Sequence, residues 1–273
     1  MNNKYDVIII GAGAAGLMCS FEAGKRGKKV CLLEHSSKIA EKIRISGGGR
    51  CNFTNLFSTD NNFISDNKHF CKSAFAKYTQ NDFLDLVKKH NIQFFEKKFG
   101  QLFCIKSAKD IIDMLVSECI NQKVEIFIDT KIKNLSKNES SYIVKTDKGC
   151  ISSSSIVIAT GGLSIPKIGA TDFGYQIAKQ FNLKVTELTP ALVPLVFEKD
   201  ILDFCKSLAG TSLNASIKIN KTVFKEGLIF THRGLSGPSI LQISSYWVKD
   251  SPIKINLLPD QDIEVILKNR RIS

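Results

Sequence analysis

The stretch "YDVIIIGAGAAG", Tyr5–Gly16, decides how the rest of the chain is read. Tyr5 to Ile10 is a short apolar run rich in β-branched residues, of the kind buried on both faces in a parallel sheet. It leads directly into Gly11-Ala12-Gly13-Ala14-Ala15-Gly16, which matches G-x-G-x-x-G. From Ala14 to Arg26 the composition is helical, and Gly27 is placed to end that helix. "KKVCLLE" follows as a second apolar strand finishing on Glu34. Strand, glycine turn, helix and strand make a Rossmann βαβ unit.

Each glycine has a mechanical task. Gly11 permits the tight turn, Gly13 lets backbone approach a pyrophosphate, and Gly16 lets helix and strand pack closely. Phosphate charge then meets the helix N-terminus at Ala14 and Ala15, where unpaired N–H groups and the dipole favour an anion. Glu34, 18 residues after Gly16, is spaced to accept hydrogen bonds from a ribose diol. The unit binds a dinucleotide but does not by itself separate FAD from NAD.

Two further glycine-rich stretches narrow the choice. "SGGGRCNFTN", Ser46–Asn55, reads as neither helix nor strand, and three consecutive glycines are costly to order without a ligand. "SSIVIATGG", 154–162, is a buried strand running into Ala159, Thr160, Gly161 and Gly162, with a helix expected from about Gly174. Three glycine loops suit an extended ligand that meets several strand ends, as FAD does. A single G-x-G-x-x-G leaves no second Rossmann unit, so a nicotinamide donor, NAD(P)H, would visit only transiently.

The stretches "VIIIGAGAAGLM", "ISGGGRCNFTN", "IVIATGGLSIPKIGATDFGY", "PALVPL" and "FTHRGLSGPSILQISSYW" together closely resemble the BaiN/YhiN-like flavoproteins. That group contains NAD(P)/FAD-dependent oxidoreductases, among them aminoacetone oxidase and a reductase of unsaturated bile-acid intermediates. The resemblance implies an α/β fold: a Rossmann-type FAD-binding domain, residues 1–190, and an inserted, mainly antiparallel β substrate domain, residues 191–273. It implies that Gly47, Gly48, Gly49, Arg50, Cys51 and Asn52 lie against FAD, with Arg50 a polar contact near flavin or phosphate. Ala40 stands where many members carry glycine. His232, in "FTHRG", is the best candidate proton donor and Tyr175 a weaker one. A histidine that merely shapes its turn is an equal reading of His232.

Members of that group also continue past the region matched by "PIKINLLPDQDIEVILKNRRIS", returning to the FAD domain with a strand, a glycine loop and a final helix. The resemblance therefore implies a chain truncated at its C-terminus, with a second polypeptide as one source of the missing segment. On that expectation the ADP site, local to residues 11–34, survives, while the flavin-ring site lacks a wall and a sheet edge is exposed.

Composition sets the remaining bounds. The chain has 273 residues, 43% hydrophobic and 23% charged, which is globular composition. No apolar run reaches the roughly 20 residues that cross a bilayer, and a cytoplasmic protein without membrane contact is expected. Eight scattered cysteines without C-x-x-C, and four histidines without ligand spacing, suggest neither disulfides nor a metal. Cys51 has no neighbouring cysteine in sequence and reads as packing rather than redox. The net charge is +12, but the lysines are dispersed and aromatics do not interleave with them. A solvated surface is therefore favoured and no nucleic acid is expected. The alternative, a flavoprotein that binds or acts on tRNA or an inactive fragment, is kept beside the leading reading: a flavin-dependent oxidoreductase acting on a small-molecule substrate with an activated double bond or an imine.

Secondary structure elsewhere follows from periodicity. Helices are expected over 81–91 and 107–123 with Ser107 as N-cap, a hairpin turns near Gly100, and "VEIFID" is a strand. "SYIVKTDKGCISSSSIVIAT" is a hairpin leading into the core strand. Beyond residue 190 short strands prevail, one helix starts near Pro238, and a last helix is capped by Asp260 and ends in "KNRR".

Overall fold

The computed structural model describes residues 4–249, 251–261, 265, 267 and 268. The chain divides into two units, one ending at Val185 and the other beginning at Thr186.

In the first unit, β1 (Lys4–Ile10), α1 (Ala14–Lys25) and β2 (Val30–Leu33) form the βαβ opening. Then come α2 (Glu41–Ile45), β3 (Asn52–Asn55), α3 (Lys72–Lys77), α4 (Gln80–Lys89), β4 (Phe94–Glu96), β5 (Gln101–Cys104) and α5 (Lys109–Asn121). β6 (Glu125–Phe127), β7 (Ile132–Lys137), β8 (Tyr142–Thr146), β9 (Gly149–Ile158) and α6 (Phe173–Gln180) complete it. The main sheet has the order β6-β2-β1-β9-β8-β7. Its first four strands are parallel, with Ile8 paired to both Cys31 and Ile156, and the β7–β8–β9 meander extends it antiparallel.

From Val7 to Ile10 both faces of β1 are covered, which is why that part is continuously apolar, whereas Lys4 and Asp6 at its start are exposed. Val7 and Ile9 pack with Leu17 and Phe21 of α1 and Ile111 and Leu115 of α5. Tyr5, Ile8 and Ile10 face the other way, onto Val144, Ile151 and Ile177 of α6. Fully burying one such side chain contributes about 2–3 kcal/mol. A smaller sheet, β3-β5-β4, carries the Gly100 turn, with Gly100 at φ +76°.

Several sequence expectations are corrected. Ser46–Asn55 is not wholly irregular: Gly47 and Gly48 form a left-handed turn, at φ 57° and 66°, and Asn52–Asn55 is β3, paired to β5 across a bulge. The glycines hid a strand too short to show alternation. Helix α4 starts one residue earlier than expected, because Thr79 and Asp82 form a capping box. The N-cap of α5 is Ala108, and the Ser107 hydroxyl instead accepts from the Lys109 N–H at 3.2 Å.

The second unit contains β10 (Leu195–Val196), α7 (Lys199–Ser207), β11 (Ser212–Ile219), β12 (Thr222–Thr231), β13 (Gly234–Ser236), α8 (Pro238–Ser244) and β14 (Lys254–Asn256). The strands form one antiparallel sheet, β10-β13-β12-β11-β14, with Ile240 and Ile243 of α8 packed among Ile217, Leu228 and Phe230. Helix α7 was not anticipated. The helix expected after Asp260 falls on a segment largely outside the described residues.

Helices α4 and α5 are joined through one buried carboxylate. Glu118 Oε1 lies 2.7 Å from His90 Nε2 and 3.0 Å from Lys89 Nζ, and the residue is only 3% exposed. The His90 hydrogen bond, reinforced by Lys89, holds the Glu118 carboxyl below its usual range despite burial. A carboxyl whose folded pKa is depressed stabilises fully above its unfolded value near ~4.3 and loses that contribution as pH falls through the folded value. We expect urea midpoints of the wild type to drop below that pH. The Glu118→Gln variant should be less stable at neutrality and should lose this part of the acid dependence.

Candidate dinucleotide site

The three glycine loops lie at the carboxyl ends of β1, α2 and β9. Strand β1 is flanked by β2, reached through α1, and by β9, reached much later in the chain. That reversal of direction is the switch point at which open α/β sheets bind ligands.

At the first loop the glycines are fixed by what surrounds them. Gly11 has φ +102°, and a Cβ there would lie 2.6 Å from the Ala159 carbonyl oxygen. A Cβ on Gly16 would lie 1.8 Å from the Gly11 carbonyl oxygen, an impossible approach. At Gly13 the same construction meets nothing within 4 Å. Two glycines thus serve packing, and the third borders open space. Helix α1 begins at that space with Gly13 as its N-cap, no side chain capping it and no acid in its first turn. Ala14 and Ala15 are exposed there. A helix of 12 residues with an uncapped start presents N–H groups and positive partial charge to an anion.

Glu34 does more than its sequence reading anticipated. Its Oε2 accepts from the buried Ala12 N–H at 2.8 Å, and its Oε1 accepts from the Ser36 N–H at 3.0 Å and hydroxyl at 3.1 Å. His35 Nδ1 lies 3.0 Å from the same Oε1. The carboxylate is therefore first a brace for the glycine turn. Each carboxylate oxygen has two lone-pair sites, so Oε2 retains one for a ribose hydroxyl.

The loops are tied together by named bonds. The Ala159 N–H donates to the Ile10 carbonyl at 2.8 Å, and the Ala40 N–H donates to the Ala12 carbonyl at 3.0 Å. Ala40 occupies the left-handed region at φ 59°. That backbone costs a residue with a Cβ roughly 1–2 kcal/mol, and its buried methyl offsets about 0.8 kcal/mol. The net cost, at most about 1 kcal/mol, is small enough for alanine to be tolerated at this turn. Lys42 of α2, which sequence reading did not single out, donates to the Gly162 carbonyl at 3.1 Å and the Ser164 hydroxyl at 2.9 Å. Its only signal was its place in the basic stretch "EKIRIS", beside the glycines.

In the middle loop Gly47, Gly48 and Gly49 all have positive φ. A Cβ on Gly47 would strike the Asn52 nitrogen at 2.7 Å and the Phe103 ring at 2.8 Å, whereas Gly48 and Gly49 face open space. The Gly49 and Arg50 carbonyls are anchored by the Ala108 and Cys104 N–H groups at 2.7 and 2.9 Å. Arg50 and Asn52 are exposed. Cys51 is buried at φ 51° and shares a core cluster with Cys104. Burial pushes the Cys51 thiol up, against a hydrogen bond with Ser46 that lowers it, and pushes Cys104 up to about 12. Buried thiols of this kind pack and are inert as nucleophiles.

At the third loop Gly161 has φ +72°, and Tyr175 sets its hydroxyl 3.2 Å from where a Gly162 Cβ would be. Thr160 Oγ1 lies 2.9 Å from the corresponding point on Gly174. Helix α6 is thus seated against this loop through glycines. His232 belongs to the second unit, where it is exposed in the two-residue turn between β12 and β13. That turn is held by Thr231 Oγ1, which donates to the Gly234 carbonyl at 3.1 Å and accepts from the Arg233 N–H at 3.3 Å.

Gly13, Gly48 and Gly49 each leave their backbone open to close approach, and the uncapped helix start at Gly13 suits the pyrophosphate of a dinucleotide. We expect Gly13→Val to keep the thermal stability of the cofactor-free protein and to lose flavin binding. Gly16→Ala should be destabilised severely even without cofactor. Thermal melts and flavin titrations of the two variants separate these roles, and equal behaviour would contradict them. Glu34→Gln turns an NH₂ toward N–H donors in either amide orientation. Leaving buried donors unsatisfied costs about 1–3 kcal/mol, so this variant should lose both stability and about tenfold or more in flavin affinity, read by calorimetry and fluorescence.

Comparison with known proteins places the fold in a family. Residues 5–240 match the family described as HI0933-like protein Rossmann domain. The chain is 48% identical over 269 residues to an Escherichia coli (strain K12) protein named ribosomal RNA dihydrouridine synthase, covering 98% of this chain and 67% of that protein. The Haemophilus influenzae protein of the same name is 41% identical, with 97% and 67% covered. A 3-dehydro-bile acid delta(4,6)-reductase of Clostridium scindens is 24% identical, with 95% and 66% covered. Among solved structures, the open conformation of a flavocytochrome c3 fumarate reductase matches with a TM-score of 0.52 and 17% identity, covering 78% of this chain and 47% of that one. That likeness concerns the fold. The chain spans about two thirds of the length of its curated relatives.

Proposed function

The chain belongs to the HI0933-like family of FAD-dependent oxidoreductases, and on that premise we propose that it serves a reductase that saturates a carbon–carbon double bond conjugated to a carbonyl, in a uridine of ribosomal RNA. The observation that carries the proposal is the 48% identity, across 98% of this chain, to a protein named for making dihydrouridine in ribosomal RNA. Dihydrouridine is uridine with its C5–C6 double bond reduced. The bile-acid relative's name also denotes reduction of unsaturation beside a 3-oxo group, so the two names share one chemical step. About a third of each relative lies outside the match, and the proposal is for the activity of the whole protein.

FAD supplies two-electron hydride chemistry when bound. In this reading Gly11, Gly13, Ala14, Ala15, Gly16 and Glu34 hold its ADP half. Residues 47–52 and 159–162 bring backbone close to the remainder, and Lys42 keeps two of those loops at fixed separation. NAD(P)H is the proposed donor and visits transiently. His232 is the proposed source of the proton that completes the reduced base. The net charge of +12, read from sequence as a solvated surface, here complements a polyanionic substrate.

The test is anaerobic addition of NADH or NADPH to the flavin-loaded protein, followed by ribosomal RNA that lacks dihydrouridine. Bleaching by one nucleotide, recovery of flavin colour on adding RNA, and a uridine heavier by two hydrogens are expected. Reduction of a small enone with uridine untouched would contradict the substrate. His232→Ala should leave bleaching unchanged and slow the RNA step. Equal rates in that step would remove His232 from the mechanism.

A further inference from the structure

We propose that the β4–β5 hairpin, together with Arg50 and Phe57, is a surface that grips single-stranded RNA beside the cofactor loops; the inference rests on the RNA reading above and deepens it. Phe95 and Phe103 face each other across the two strands, and their rings stack with centroids 5.8 Å apart and planes 24° apart. Phe103 is buried, so the pair is the support of the hairpin and not an exposed face, and each of its rings meets a cation. The Arg50 guanidinium lies 5.9 Å from the Phe95 ring, and Lys97 Nζ lies 5.6 Å from the Phe103 ring. Phe103 also touches the position of the missing Cβ of Gly47, so the ladder of rings and charges abuts the middle glycine loop directly.

The hairpin tip is built against the ordinary preference of an apolar side chain. Phe99 is 62% exposed and sits at φ 52°, a left-handed backbone that bulky residues rarely adopt. The tip is nonetheless pinned. Asn55, the last residue of the glycine motif, donates from Nδ2 to the Phe99 carbonyl at 2.8 Å, and the Gly100 N–H donates to Glu96 Oε1 at 3.0 Å. Phe57, 68% exposed, packs its ring edge on Gly100, and Lys98 Nζ lies 5.4 Å from the Phe99 ring. Two rings are therefore held out in water on fixed backbone, among lysines.

Aromatic faces for bases and cations for phosphates are what sequence-tolerant single-strand binding uses. A protein partner is the poorer match, since the centres of protein interfaces are depleted of lysine. The stretch "FFEKKFGQLF", 94–103, does interleave aromatics with lysines, an exception to the dispersed pattern of the chain, but its sequence shows only a hairpin and not which rings are exposed.

The test uses the full chain, fluorescein-labelled oligouridylate as probe, and anisotropy titrations at several salt concentrations. Phe99→Ala and Phe57→Ala should each weaken binding about tenfold. Lys97→Ser with Lys98→Ser should flatten the slope of log affinity against log salt by about 1.4. Flavin binding should be unchanged in every variant, which separates lost contact from lost fold. Variants that bind the probe as the wild type does would overturn the hairpin proposal and leave the function standing. A wild type that does not bind RNA would overturn the RNA reading itself. Loss of self-association in Phe99→Ala with RNA binding intact would make the surface an interface between copies and also overturn the proposal.

Discussion

Helix α1 meets strand β1 with no room for a side chain at residue 16, where a Cβ would stand 1.8 Å from the Gly11 carbonyl oxygen. That contact sets the angle at which the helix leaves the strand, and so where its uncapped N-terminus points. Gly11 in turn lies against Ala159, so the same turn fixes how closely the end of β9 approaches. Glu34 supports the turn from the β2 side through the Ala12 N–H. Three strand ends are thereby tied together beside the uncapped start of α1, whose unpaired N–H groups favour an anion.

Binding and stability are separated residue by residue at this turn. Gly11 and Gly16 belong to the fold, because their neighbours are backbone atoms that cannot yield. Gly13, Gly48 and Gly49 border space that the folded chain leaves empty. Glu34 belongs to both, since one carboxylate braces the loop and keeps a lone pair in reserve. Lys42 links the start of the middle loop to the third, so order in one glycine run supports order in another. The family, its fold and its relatives' names then supply what geometry alone does not, the chemistry that the bound group performs.

Much of this was legible in the sequence, for physical reasons. A strand buried on both faces must be apolar throughout, a tight turn over phosphate must use glycine, and a helix ending in left-handed backbone favours Gly27. Those constraints are local, so residues 5–34 could be read directly. What was not legible depends on contacts distant in sequence. The pairing of Ile8 with Ile156 joins segments far apart in the chain, and no periodicity announces it. Asn52–Asn55 is four residues long and masked by glycines. Among the short strands beyond residue 190 lies α7, only nine residues long, whose amphipathic pattern covers Lys199–Ser207. Glu34 was assigned to a ribose because spacing shows which residue reaches the site, while only the structure shows that Ala12 already occupies one of its oxygens.

The central claim, that a dinucleotide lies across the three loops at the strand ends, is tested most directly by hydrogen exchange of the chain with and without FAD. The account predicts slowed exchange at the backbone N–H groups of residues 11–17, 34–36, 47–52 and 159–162, with α4 and the β7–β8 hairpin unchanged. Slowed exchange confined to other segments, or a uniform change over the whole chain, would contradict it.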